Sequence, residues 1–425
     1  MTEVWNLLKQ EEAVCSGDEI DGLPPVTIMP GMSLPMADRD LTLSVLCELI
    51  ASGRAQSKAA LGRVTGLSRS TITSRLNYLL RKRIITADGV IESSSGRPAH
   101  KIAISPEIGV LAIADVGAKH SIFAIADMNF RLLGYHTAHM DLEAEPPSEF
   151  LTKVCQILRD LAMRFAGNKP FRHCVLDLPG RIDKEADRLF RPPIMSGWDM
   201  FDAHKAMEEL LGCPVTVEND VNARALGEAS VLSVKQRPVI AVKVATGIGA
   251  GIIDTGDHIL HGFDGSAGEL GHTSFDPKNR RRCRCGMTGC LETTASVPAI
   301  IAAYNERRPK SRVDDVEELI QRLRSGDALA QELVINAGRS IGQAIAYVCN
   351  VLNPHKVVIS GLLVDNSDEL LTEIRTSVYQ LTRPLASRNL TISRSSIGPL
   401  AGVVGCMVLG VKTTLSPRYL LKRHN

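Results

Sequence analysis

The feature that most constrains this chain is Gly271-His272, followed after ten residues by Cys283-Arg-Cys285-Gly-Met-Thr-Gly-Cys290. One imidazole and three thiols in so short a stretch form the closed Cys₃His ligand set of structural zinc. Gly286 and Gly289 permit the tight turns that aim several sulfurs at one point. Free thiols flanked by Arg280, Arg281, Arg282 and Arg284 would instead be thiolate-prone and easily oxidised. Zinc held by His272, Cys283, Cys285 and Cys290 is therefore the expectation. Four protein ligands leave no open coordination position, which makes the expected metal structural and not catalytic. The other seven of the ten cysteines are scattered and read as small buried hydrophobes.

A chain of 425 residues has room for two or three domains and at least one large core. No run of about 18 apolar residues occurs, so no membrane span is expected. The start lacks the charged flank and apolar stretch of a secretory signal, which predicts a cytoplasmic protein with reduced thiols. The net charge of +2 hides an asymmetry. Residues 1–40 hold two Lys/Arg against eight Asp/Glu, whereas residues 41–105 hold ten against three. Residues 1–38 read as a flexible acidic tail, and the basic stretch after it as a module that meets nucleic acid.

Periodicity in that basic stretch predicts three helices. Residues 41–50 place leucines and isoleucine on one face, and Gly53 ends the run. A short helix follows Ser57, a candidate N-cap, and runs to Gly66. Ser68 then caps a helix from Arg69 to about Arg83, with Ile72, Leu76, Leu79 and Leu80 as its apolar face. Helix, glycine turn and second helix outline a helix-turn-helix. The polar face of the last helix presents small hydroxyls, an amide and cations suited to a major groove and its phosphates. Its expected DNA-contacting residues are Ser68, Arg69, Ser70, Thr71, Thr73, Ser74, Asn77 and Arg81. Residues 84–104 read as a hairpin turning at Asp88-Gly89, hence a wing, with Arg97 in the cationic tip Gly96-Arg97-Pro98. Residues 39–105 thus read as a winged helix-turn-helix.

From residue 106 the texture becomes α/β. Residues 110–115 and 120–127 are strands flanking an Asp115-Val-Gly117 turn, whose amides can hold phosphate. Residues 214–220 form a strand ending in Glu218-Asn219-Asp220, where a carboxylate can accept a proton from a bound hydroxyl, or an Asn or Asp can simply cap the following helix. Residues 239–245 break into a loop carrying Thr246, Gly247, Gly249 and Gly251, which either admits phosphate or is an inert hairpin.

Taken in order, Thr65-Gly-Leu-Ser68, Gly96-Arg-Pro98, Pro179-Gly180, Gly197-Trp198, Glu218-Asn-Asp220, the 246–251 loop, Gly265-Ser-Ala-Gly-Glu269-Leu-Gly-His272, the cysteine cluster and Leu291-Glu292 resemble the ROK family of repressors, open reading frames and kinases, in its repressor branch, over residues 41–415. The resemblance implies a two-lobed, actin-like (ribonuclease H-like) sugar-kinase domain over residues 106–425 with its zinc loop at 272–290. It implies sugar binding by Asn219, Asp220, Glu269, His272 and Glu292, with Asp220 the catalytic base in the family's kinases. It also assigns Asp115, Gly117, Thr246, Gly247 and Gly249 to the phosphate loops. Two departures fall on the nucleotide side. Asp115-Val-Gly117-Ala118-Lys119 stands where the kinases have Asp-x-Gly-Gly-Thr, and Ser360-Gly361 replaces a Gly-Gly pair. The resulting expectation is a sugar-responsive repressor of carbohydrate genes that binds palindromic operator DNA and is not an enzyme; an ATP-dependent sugar kinase is the alternative. A homodimer or homotetramer is expected, with residues 335–352 as an interface helix.

Overall fold

The computed structural model describes residues 12–16, 23–27, 39–91 and 99–421, less 184, 187, 193, 194, 196, 275 and 277. Helix α1 (Arg39–Ala51) is buried on almost every side, Thr42 and Ser44 included. Such a helix needs partners all round. The head packs one face, and the other lies on the end of the body, where the Ser44 hydroxyl donates to the Leu415 carbonyl at 2.7 Å. Helix α2 (Lys58–Thr65) starts at Ser57, whose hydroxyl accepts from the Ala60 amide, and stops at Gly66 in the left-handed region. Helix α3 (Arg69–Arg81) is capped by Ser68, which accepts from the Thr71 amide at 3.1 Å. Ile72, Leu76 and Leu79 are buried as expected, but Leu80 is exposed. Each helical residue turns about 100°, so a leucine next to Leu79 falls off the edge of a narrow apolar stripe.

Strands β2 (Ile85–Ile91) and β3 (Ala99–Ile104) pair antiparallel. Asp88-Gly89 is not their turn. The register slips by one residue between Thr86 and Gly89, so the dipeptide lies in β2 at a bulge. The tip, with Arg97, lies outside the described residues.

The body contains two sheets. The first has the order β1 (Glu12–Ser16), β6 (Leu132–His139), β5 (His120–Ala126), β4 (Val110–Val116), β7 (Phe171–Leu178), β10 (Val215–Asn219). Strands β4, β7 and β10 run parallel, whereas β5 and β6 are antiparallel. The second sheet has the order β12 (Ile248–Ile253), β11 (Val239–Val244), β13 (Lys356–Ser360), β14 (Thr391–Arg394), antiparallel at its first pair and parallel thereafter. Each lobe thus opens with a hairpin and continues in parallel, the two-lobed α/β architecture of actin-like sugar kinases.

Strand β1 corrects one expectation. Residues 12–16, assigned above to a flexible tail, add an edge strand against β6, with Cys15 buried and Val14 exposed. Five residues suffice for a strand when an open edge is waiting. The Thr27 amide further donates to the Ser230 carbonyl.

Two helices cross between the lobes: α6 (Asp220–Ser230) and α14 (Ala401–Thr414). Their contact is glycine-dependent. A Cβ at Gly405 would lie 1.7 Å from the Ala223 carbonyl oxygen, and one at Gly227 would lie 2.0 Å from that of Ala401. The helix that begins with Asp220 therefore bears directly on the helix that ends at the head.

Candidate functional site

The cleft between the lobes gathers most of the expected sugar residues. Asn219 caps α6, its Oδ1 accepting from the Val221 and Asn222 amides. That leaves Nδ2, which donates to the Gly180 carbonyl at 3.0 Å. The capping role and a fixed orientation in the cleft therefore coexist. Asp220 is buried and meets the Lys243 ammonium at 2.6 Å. Glu218 lies behind, accepting from Asn222 at 3.1 Å and paired with His261 Nε2 at 2.7 Å.

From the second lobe, Glu269 receives Arg181 Nη2 at 2.7 Å and has His272 Nε2 at 3.6 Å. Glu292 begins the short helix α7 (Glu292–Ala295), and its Oε2 accepts from the Ile248 amide at 3.1 Å. A Cβ at Gly247 would come within 2.7 Å of the same oxygen, so glycine there admits Glu292. Asn219 and Asp220 come from the first lobe; Glu269, His272 and Glu292 come from the second.

The two expected phosphate loops are differently built. The 246–251 segment is the hairpin reading: residues 245–247 turn, and Gly249 and Gly251 lie inside β12. A Cβ at Gly251 would stand 2.5 Å from the Val221 carbonyl oxygen, so that glycine is spent on the approach of α6. Asp115 is the penultimate residue of β4, and the Gly117 amide closes the turn onto the His120 carbonyl. Lys119 does not point into that turn; it pairs with Asp141 at 3.1 Å and holds that carboxyl below its ordinary range.

Beneath the turn lies a feature that sequence reading missed. Asp177 is fully buried, accepting from the Val116 amide and the Cys406 thiol, each at 3.1 Å. Burial, then the neighbouring Asp115 and Asp220, push Asp177 well above the carboxylate range, and burial raises Asp115 too. Two buried carboxyls of this kind retain protons that exposed ones would lose. Lys243 was findable as the one ionisable residue in the apolar strand β11, and Asp177 as a carboxyl set within the apolar Cys174–Leu178 end of β7; such positions need partners. Arg181 and His261 lie in loops and left no comparable signal.

The metal-ligand cluster is assembled. The ligand atoms of His272, Cys283, Cys285 and Cys290 lie within 4.8 Å of one another. Cys283 Sγ is 3.6 Å from His272 Nδ1, and Cys285 Sγ is 3.7 Å from Cys290 Sγ. A tetrahedral ion with Zn–S near 2.3 Å and Zn–N near 2.05 Å needs edges of about 3.8 and 3.6 Å, so the donors fit such an ion. Burial pushes the Cys290 thiol up to about 12, so a cation is what allows these sulfurs to exist as thiolates. Nδ1 faces the sulfurs and Nε2 faces Glu269, so one ring can serve metal and cleft together.

On the head, Arg69, Ser70, Thr73, Ser74, Asn77 and Arg81 line one shallow, open hollow along α3. Ser68 and Thr71 are engaged at the cap, 2.8 Å apart through their hydroxyls. No helix among the described residues is long and apolar enough to cross a membrane.

Residues 110–413 match the ROK family. The chain is 28% identical over 358 residues to the xylose repressor of Bacillus spizizenii, covering 82% of this chain and 89% of that one. It is 28% identical over 359 residues to the DNA-binding transcriptional repressor Mlc of Escherichia coli, covering 81% and 87%. A solved ROK family transcriptional regulator, a homologue of the E. coli Mlc protein, superposes with a TM-score of 0.75 at 24% identity over 90% of this chain and 98% of that one. With its two-lobed body and the match running from β4 to the end of α14, the chain is a member of the ROK family.

Proposed function

We propose that this protein is a sugar-responsive transcriptional repressor of carbohydrate genes, with operator DNA and a sugar or sugar derivative as its ligands. The observation that carries this is the joining of an exposed, hydroxyl- and cation-lined α3 to a body with a polar interlobe cleft, the two linked through α6 and α14. In this reading Arg69, Ser70, Thr73, Ser74, Asn77 and Arg81 meet the major groove and Arg97 the minor groove. Asn219 Nδ2, Asp220, Glu269, His272 Nε2 and Glu292 hold sugar hydroxyls. Zinc on Nδ1 of His272, completed by Cys283, Cys285 and Cys290, fixes the ring so that Nε2 carries the proton offered to the ligand.

Ligand binding changes the lobe angle, which α6 transmits to α14 through their glycine contact and so to α1. Homo-oligomers with two-fold symmetry then read palindromic sites. Titration of labelled promoter DNA against random DNA at physiological salt tests the proposal; equal affinity for both would end it.

The geometry favours binding over catalysis. A kinase needs Asp220 as a base, and here Lys243 lies on its carboxylate at 2.6 Å. ADP release above background with any sugar, lost in Asp220→Ala, would restore the enzyme reading.

A further inference from the structure

In three of the four ion pairs of the cleft the carboxylate is the more buried member; the exception is Glu269 with His272, where the imidazole is 14% exposed and the carboxylate 33%. Side-chain exposure is 24% for Lys243 against 7% for Asp220, 29% for His261 against 4% for Glu218, and 39% for Arg181 against 33% for Glu269. What enters the cleft beside Asp220 or Glu218 therefore meets nitrogen before carboxylate, and beside Glu269 it meets the Arg181 guanidinium and the carboxylate together. This inverts the arrangement suited to a neutral sugar, whose hydroxyl protons seek exposed carboxylate oxygens. Lys243 donates one hydrogen bond, to Asp220, and an ammonium has three donors; Arg181 uses Nη2 on Glu269, and a guanidinium has five. The two cations flank the Gly180–Asn219–Asp220 edge, because Arg181 follows the glycine whose carbonyl holds Asn219. They also come from different lobes, Arg181 from the loop after β7 and Lys243 from β11.

We propose that the ligand of this cleft is an anionic sugar, a polyol carrying a phosphate or carboxylate oxyanion, and that Lys243 and Arg181 recognise the anion. This rests on the reading of the cleft as a sugar site. A neutral sugar that drew Asp220 or Glu269 onto its hydroxyls would leave a half-buried cation without its partner. An anionic sugar supplies the replacement: its oxyanion takes the ammonium or guanidinium, and the released carboxylate turns to the hydroxyls. At each exchange the cation keeps an anionic partner and the released carboxylate gains the ligand's hydroxyl hydrogen bonds, and a ligand held by both cations ties the lobes together.

The test is calorimetry on the full chain with neutral aldoses, their phosphate esters, the matching uronates and aldonates, and inorganic phosphate alone. At least one phosphate ester or sugar acid is expected to bind about tenfold or more tightly than its neutral parent, as a charge-assisted contact implies. Lys243→Met and Arg181→Leu should each erase that ratio, while Lys243→Arg retains it, and circular dichroism confirms folding. Which anionic arm responds distinguishes phosphate from carboxylate. If the neutral parent binds as tightly and Lys243→Met leaves it unchanged, the inference falls and the sugar-sensor reading stands. If inorganic phosphate binds as well as any sugar ester, the site takes an anion only and the inference falls. If nothing in the panel binds, the sugar reading falls with it.

Discussion

Glu48→Gln probes the junction through which the body holds the N-terminal helical head. Glu48 sits on α1, and burial pushes its carboxyl up from an ordinary 4.5 to about 7, opposed by Lys412 of α14. Lys412 in turn donates to the Asp257 carbonyl at 3.4 Å and lies 3.9 Å from the Asp257 carboxylate, which is buried with Arg237. Head, hinge helix and second lobe thus share one charge cluster. A carboxyl whose folded pKa exceeds its unfolded one binds its proton more tightly in the docked state. The docked state is therefore favoured at low pH and loses stability as pH rises from 4.5 to about 7, with no further loss above. The whole shift corresponds to about 3 kcal/mol at pH 8 and under about 1 kcal/mol at pH 5. Gln keeps the shape and removes the ionisation. Hydrogen exchange of the α1 amides should show the Gln variant better protected at pH 8 by up to that amount, and nearly equal to wild type at pH 5. A variant less protected at pH 8 would refute the reasoning, since it would mean that attraction to Lys412 outweighs the cost of burying the charge.

Gly405→Ala forces a methyl into the Ala223 carbonyl and should lower stability by roughly 3 kcal/mol, with the sugar response of DNA binding weakened more than either ligand's own affinity; calorimetry and DNA titration check this. Cys290→Ser should drop metal content by mass spectrometry from one zinc per chain to near zero and weaken sugar binding through a loosened His272, while DNA affinity of the ligand-free protein holds. Ser68→Ala removes the cap of α3 and should cost about 1 kcal/mol, seen as faster exchange at the Thr71 amide and weaker operator binding.

What was legible in the sequence was local. Ser57, Gly66 and Ser68 announced the head because a cap and a left-handed turn depend on residues within a few positions of each other. The same holds for the cluster between His272 and Cys290, whose spacing alone confines the donors to one small loop. Asp88-Gly89 shows the limit of that locality: it suits a turn or a bulge, and strand pairing to residues 99–104 chose the bulge. Gly249 and Gly251 suited either a phosphate-admitting loop or an inert hairpin, and the fold made the hairpin, with α6, arriving from earlier in the chain, leaving little room for a side chain on either.

By itself, then, the sequence determined the head, the metal-ligand loop, the two-lobed α/β body and the family. Only the tertiary structure decided the character of the cleft. Lys243 on Asp220 and Arg181 on Glu269 join residues 23 and 88 positions apart, and Asp177 with Cys406 joins residues 229 apart. No periodicity or spacing encodes such pairs, because the folded sheet order, not chain proximity, sets which charges share a low-dielectric space. The strand at residues 12–16 belongs to the same class: it is too short to read, and the open edge of β6 is what gives it a place.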